Sequence, residues 1–169
     1  MGWRNNYAKF IGQFPHKHGA ELGVLQGKLS VVLLEELHVL EKLYCVDHWG
    51  NTDNFAKYID NTKNYRGRIE TIKAPTNEAH VSIPNRSLDF VFVDASHMYR
   101  SVMADIVCWM PKLKVGGVMS GHDYIDYGKP HHYDVKGAVD KLFPHADIQG
   151  QVWWIINRGN KQWETWRNA

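Results

Sequence analysis

Short apolar runs alternate along this chain with segments whose apolar residues recur at helical spacing. The runs have the length of buried strands and cover residues 20–24, 43–46, 68–73, 89–93 and 115–120. The helical segments cover residues 28–40, 54–64, 101–110 and 134–143, and a shorter helix or turn begins at Pro75. Strands that alternate with helices predict an α/β fold with a mostly parallel sheet flanked by helices.

The end of the chain has a different pattern. Ile148 and residues 152–157 are separated by Gly150, which predicts a C-terminal antiparallel hairpin. Trp163 and Trp166 follow, and they predict either a further edge strand or a packed tail. No repeat or linker is present, so we expect a single domain over 1–169. It divides into an N-terminal extension (1–18), a core (19–157) and a tail (158–169).

Composition and charge narrow the class of protein. The chain has 169 residues, of which 44% are hydrophobic and 22% charged, values typical of one globular domain. Its net charge of +2 is spread without a block of one sign, which argues against a nucleic-acid partner. No apolar run reaches the roughly 20 residues that span a bilayer, and residues 1–19 lack the apolar stretch of a secretory signal. We therefore expect no membrane association and a cytoplasmic location.

Two of the predicted strands end in clusters of ionisable side chains. Asp94 and His97 follow the strand at 89–93, and His122 and Asp123 follow the strand at 115–120. In an open α/β sheet, ligands bind in the crevice beyond the carboxyl ends of parallel strands. The placement predicts a reaction centre, although a hydrogen-bonded loop position is the alternative for each histidine alone.

The first strand and the first helix are joined by a turn that contains glycines. Gly23 and Gly27 permit a tight turn and close approach of a ligand, and the free N–H groups of the helix start can hold an anion. Leu25 occupies the second glycine position of a dinucleotide fingerprint, which argues against a pyrophosphate and against an NAD enzyme. Asp47 ends the second strand, where an acid can accept hydrogen bonds from ribose hydroxyls. These residues indicate a nucleoside ligand such as S-adenosylmethionine, with an ordinary turn and a solvated acid as alternatives.

With these residues, the chain resembles a class I S-adenosylmethionine-dependent methyltransferase over residues 20–157. Within that group it resembles the small-molecule, sugar-type O-methyltransferase branch, whose pattern is D-x-x-H-x-Y, a helix, P-x-L-x-x-G-G and H-D-Y. The matching residues are Asp94, His97 and Tyr99, then Pro111, Leu113, Gly116 and Gly117, then His122, Asp123 and Tyr124. The turn E-x-G-x-x-x-G is supplied by Glu21, Gly23 and Gly27, and an acid and an aromatic end the second strand as Asp47 and Trp49.

The resemblance implies a Rossmann-like fold and a role for each matching residue. Glu21 and Gly23 would line the methionine part of the cofactor, Asp47 would hold the ribose, and Trp49 would flank it. Asp94 would lie at the methyl-transfer face. In metal-dependent relatives, acids that match Asp94 and Asp123 ligate Mg²⁺. Those relatives often carry a second acid where this chain has His122. This difference argues against a magnesium site, because Mg²⁺ prefers oxygen ligands.

We therefore expect an enzyme that transfers a methyl group from S-adenosylmethionine to a hydroxyl of a small molecule, such as a sugar. His97 and His122 are candidates for the general base, and Asp94 and Asp123 could orient an imidazole or bind a metal.

Two alternatives stay open at this point. The first is a cofactor-binding module without catalysis, and the second is an N-methyltransferase that acts on a macromolecule. The chain lacks the N/D-P-P-Y/F motif typical of nucleic-acid amino methylases, which argues against the second. Only residues 1–18 and 125–132 are available to cover a substrate, which suggests a homo-oligomer in which a second subunit completes the pocket.

Overall fold

The computed structural model describes residues 2–126 and 133–159, and its centre is a seven-stranded sheet. The strands are β1 (His18–Leu22), β2 (Lys42–Asp47), β3 (Ile69–Lys73), β4 (Leu88–Val93), β5 (Leu113–Gly121), β6 (Asp147–Gln149) and β7 (Val152–Ile156). Their order is β3-β2-β1-β4-β5-β7-β6. Strands β1 to β5 pair in parallel, and β7 is antiparallel to both of its neighbours. The predicted α/β fold with a closing antiparallel hairpin is confirmed.

Helices cover both faces of the sheet. They are α1 (Trp3–Ile11), α2 (Lys28–Glu36), α3 (Thr52–Thr62), α4 (Thr76–Ala79), α5 (Tyr99–Trp109) and α6 (Val135–Leu142). Successive side chains of a strand point to opposite faces, so Phe90 and Phe92 of β4 pack with α1 and α2 while Val91 and Val93 pack with α5 and α6. A strand covered on both faces is apolar throughout, which is why β4 is the clearest strand in the sequence.

Helix α1 lies in the segment that the sequence pattern assigned only to an N-terminal extension. Tyr7, Ala8 and Ile11 of this helix are buried against the sheet. The Tyr7 hydroxyl shares a hydrogen bond of 2.8 Å with the hydroxyl of Ser120 on β5. The helix is short and carries aromatic and asparagine residues of modest helix propensity, so tertiary packing rather than local preference holds it.

The end of α2 and the start of β1 are among the boundaries that differ from the prediction. Helix α2 ends at Glu36 instead of residue 40, because Leu37 leaves the helical conformation, yet Leu37 and Leu40 are buried and continue the apolar pattern. Strand β1 begins at His18, two residues before the apolar run. Residues 127–132, part of the segment predicted to cover a substrate, lie outside the described residues, as do Trp163 and Trp166. Within the described ranges, no helix combines the length and apolar character needed to cross a membrane.

Candidate functional site

A cavity of about 860 Å³ lies beyond the carboxyl ends of β1, β2, β3 and β4. The predicted site residues in its lining are Glu21, Gly23, Asp47, Asp94 and His97. Because parallel strands end at the same edge of the sheet, residues distant in sequence meet here. Asp94 and His97 line this crevice, whereas His122 and Asp123, which follow β5, do not.

The turn after β1 depends on two glycines with left-handed backbone. Gly23 has a φ of 86°, and a Cβ there would collide with the carbonyl oxygen of Asp94 and lie 2.5 Å from the Cα of Ala95. Gly27 has a φ of 73° and precedes α2, where a Cβ would lie 2.9 Å from the Tyr58 ring. Gly27 does not line the cavity, so it contributes through the conformation of the turn.

Asp47 is tied to the same turn through its carboxylate. Its Oδ2 accepts a hydrogen bond of 2.9 Å from the Leu25 N–H, and its Oδ1 accepts one of 2.8 Å from the Trp49 N–H. A carboxylate oxygen can accept more than one hydrogen bond, so both oxygens keep capacity for a ligand. The Asp47 side chain therefore organises the cavity wall and still faces it.

Trp49, which was predicted to flank a ribose, does not line the large cavity. Its ring is 3% exposed and packs 4.7 Å from the ring of Tyr58, measured between centroids. The indole N–H donates a hydrogen bond of 2.8 Å to the carbonyl of Leu25. The ring is outside the cavity lining and supports the turn from behind.

Glu21 is a buried acid at one end of the cavity. The Ser30 hydroxyl donates a hydrogen bond of 2.5 Å to its Oε2. Burial raises the pKa of Glu21 to about 8, the hydrogen bond from Ser30 opposes the rise, and the negative charge of Asp94 adds to it. The positive charge of Arg4, which also lines the cavity, lowers the pKa of Glu21 in turn. Glu21 is therefore mostly protonated at neutral pH before any cation binds beside it.

The ends of β4 and β5 bring all four predicted catalytic residues together. The Nε2 atom of His97 lies 3.0 Å from Oδ2 of Asp123 and 3.6 Å from Oδ1 of Asp94. The other oxygen of Asp123 lies 3.1 Å from Nδ1 of His122, so one carboxylate joins two imidazoles. The neighbouring Asp94 carboxylate raises the pKa of His97, burial opposes this, and the charge of Asp123 adds to the rise.

Part of this cluster has the spacing of a metal site. Single ligand atoms of Asp94, His97 and Asp123 all lie within 4.8 Å of one another. Two carboxylates fit a divalent cation, and the imidazole suits a transition metal such as Mn²⁺ or Fe²⁺ better than Mg²⁺. The predicted acidic pair is thus close enough to share an ion, with His97 as a ligand that the metal prediction did not include.

Three residues that contribute to the site were not predicted from the sequence. Arg4 of α1 lines the large cavity, and the Trp3 ring stacks on the His122 imidazole with 4.0 Å between centroids. The helical spacing of Trp3, Tyr7 and Phe10 was the available signal for α1. Asp105 of α5 also lines the cavity, and its Oδ2 has no hydrogen-bond partner among the described residues. An acid within a helix gives no local sign that it will be buried.

A model of the methyltransferase domain matches residues 20–124, which is more than half of the chain, so the chain belongs to this family. The family agrees with the methyltransferase that the sequence predicted.

Solved structures agree in fold. A cofactor-bound protein from MTB superposes with a TM-score of 0.77 at 15% identity, covering 92% of this chain and 79% of that one. An O-methyltransferase from Bacillus cereus in complex with SAH gives a TM-score of 0.74 at 13% identity, with coverage of 90% and 80%. The O-methyltransferase TomG from Streptomyces achromogenes, in complex with SAM, gives 0.74 at 12% identity, with coverage of 91% and 79%. No curated protein matches the chain in sequence.

Proposed function

We propose that the protein transfers a methyl group from S-adenosylmethionine, held in the large cavity, to a hydroxyl of a small molecule. The observation that carries this proposal is the Asp123 carboxylate, which contacts His97 on the side of the large cavity and His122 on the side of a second cavity. A donor and an acceptor can therefore approach the same ionic cluster from two directions.

The charges of the large cavity suit the donor. Glu21 can become ionised beside the α-ammonium group of the cofactor, and Asp47 can accept hydrogen bonds from the ribose hydroxyls. The adenine then extends toward residues 75–77, which complete the lining after β3. Such placement holds the sulfonium methyl near Asp94, where positioning and exclusion of water supply most of the rate enhancement.

His122 is the better placed of the two candidate bases. Its Nδ1 faces Asp123, which favours the tautomer with the proton on Nδ1 and leaves Nε2 free to accept the acceptor's proton. The Nε2 of His97 is already engaged by carboxylates that raise its pKa. A divalent cation bound by Asp94 and Asp123 would lower the pKa of the acceptor hydroxyl directly.

The proposal is tested by separating cofactor binding from turnover. His122→Gln should keep its affinity for S-adenosylhomocysteine, measured by calorimetry, and lose about 100-fold or more of the rate with a phenol or a glycoside as acceptor. His145→Gln, at an exposed position outside both cavities, is the matched control. Binding without turnover in the native protein would favour a cofactor-binding module. A rate that is lost with EDTA and restored by Mn²⁺ would assign the cation.

A further inference from the structure

A second cavity, of about 380 Å³, lies between α1 and the turn that joins β6 to β7. Pockets for small molecules start at about 300 Å³, so the space suits a single ring with its substituents. The two elements that form it lie outside the nucleotide-binding strands β1 to β4.

The walls of this cavity are aromatic. Trp3, Tyr7, Phe10 and Trp154 line it, and the rings of Phe10 and Trp154 lie 4.6 Å apart between centroids. Flat faces of this kind stack on planar rings and on the apolar face of a sugar. The Tyr7 hydroxyl is engaged with Ser120, so the part of Tyr7 left for a ligand is its ring.

The rim of the cavity is polar but uncharged. Asn6, Gln149 and Gln151 are exposed there, and each carboxamide offers both donors and an acceptor to ligand hydroxyls. Among the described residues of the lining there is no carboxylate, ammonium or guanidinium group. The large cavity differs sharply, since Arg4 and Lys28 line it together with several acids.

We propose that the second cavity selects an uncharged ring compound bearing hydroxyl groups as the methyl acceptor. This inference rests on the proposed function and adds the chemical class of its substrate. A charged substituent would lose water on entering the aromatic walls, and the described lining residues offer it no carboxylate, ammonium or guanidinium partner, which is unfavourable. His122 lines the same cavity, so a ring hydroxyl there lies next to the ionic cluster.

The transfer balances for such an acceptor. The bond between the sulfonium sulfur and its methyl carbon breaks, and its electron pair stays on sulfur, which leaves neutral S-adenosylhomocysteine. The acceptor oxygen forms the new bond to the methyl carbon, and the hydroxyl proton leaves to the base. The product is an uncharged methyl ether.

Two pairs of compounds that differ in charge test the inference. Phenol is compared with 4-hydroxybenzoate, and methyl glucoside with methyl glucuronide, by ligand-observed NMR on protein saturated with S-adenosylhomocysteine. At least one neutral compound should bind, about tenfold or more tightly than its anionic partner. The pair that shows the difference distinguishes an aromatic acceptor from a sugar. Equal or tighter binding of both anions, or no binding of either neutral compound at millimolar concentration, would overturn the inference.

A positive charge introduced at the rim of the second cavity provides a second test of the inference. Gln151→Lys should raise the affinity for the anionic member of the binding pair by about tenfold, while Gln151→Met should not. Gln151 is exposed next to the turn at Gly150, and the native comparison stands even if a variant fails to fold. If native protein does not bind S-adenosylhomocysteine, the proposed function fails and the inference with it. If native protein binds S-adenosylhomocysteine, and the anions bind with the same affinity as the neutral compounds, only the inference fails.

Discussion

The indole of Trp3 stacks on the imidazole of His122 with an interplanar angle of 20°, and this contact joins the first helix to the end of β5. Aromatic pairs contribute about 0.5–1.5 kcal/mol beyond their buried area. The stack holds the imidazole that faces Asp123, so the position of the proposed base depends on a residue 119 positions away along the chain.

Replacing Trp3 should therefore affect turnover more than cofactor binding. Trp3→Ala is expected to lower the rate by about tenfold because the imidazole gains freedom, and Trp3→Phe should retain most of it. Initial rates and calorimetry with S-adenosylhomocysteine measure the two effects. A parallel loss of cofactor affinity in Trp3→Ala would contradict the role and indicate that the whole helix has been displaced.

Asp47→Ala should weaken S-adenosylhomocysteine binding by about 10- to 100-fold. The substitution removes the acceptor for ribose hydroxyls and also leaves the N–H groups of Leu25 and Trp49 without their present partner. Calorimetry measures the affinity. Asp60→Ala is the control, because Asp60 lies on the exposed side of α3 and pairs with Lys63. Unchanged affinity in Asp47→Ala would contradict a role of Asp47 in cofactor binding.

Cofactor binding should release a proton from Glu21. With a pKa of about 8, Glu21 is mostly protonated at pH 7, and a cationic ammonium group placed beside it favours the ionised form. We expect close to one proton to be released at pH 7 and almost none above pH 9. Calorimetry in phosphate and in Tris measures the release, because the two buffers differ in ionisation enthalpy. Glu21→Gln should abolish it, and equal enthalpies in both buffers would contradict the assignment.

Asp105→Asn should stabilise the fold at neutral and alkaline pH. Burial raises the pKa of Asp105 to about 6, and the Thr76 side chain opposes the rise. Because the folded-state pKa lies above the ordinary value of 3.8, stability is complete below pH 4 and falls as the pH rises toward 6. The variant should gain about 1–3 kcal/mol in the free energy of unfolding at pH 8 and nothing at pH 4.

Asp140→Asn should have the opposite effect on the free energy of unfolding. At Asp140, burial opposes ionisation, but hydrogen bonds with Lys136 and Tyr124 lower its pKa overall. Asp140→Asn should lose a small amount of stability at pH 8, as measured by urea unfolding. A gain in both variants would show that the effect is not specific to the buried carboxyl of Asp105.

The strands and the ionisable residues at their ends were predictable because a fully covered strand is apolar and stops abruptly at a polar residue, as β4 does at Asp94. Parallel topology then brings such ends together. The pairing of Trp3 with His122 and the burial of Asp105 were not predictable, since both depend on contacts between distant segments. Trp49 follows Asp47 closely, yet its ring is 3% exposed and packs against the ring of Tyr58. The homo-oligomer and the cytoplasmic location stay predictions.

The close approach of Gly23 to the backbone of Asp94 and Ala95 has a consequence for protein engineering. Any side chain introduced at position 23 would push the first loop and the end of β4 apart, so a substitution there would disturb the proposed donor site and Asp94 at the same time. Changes of substrate are better sought between α1 and the β6–β7 turn, which leave that contact intact.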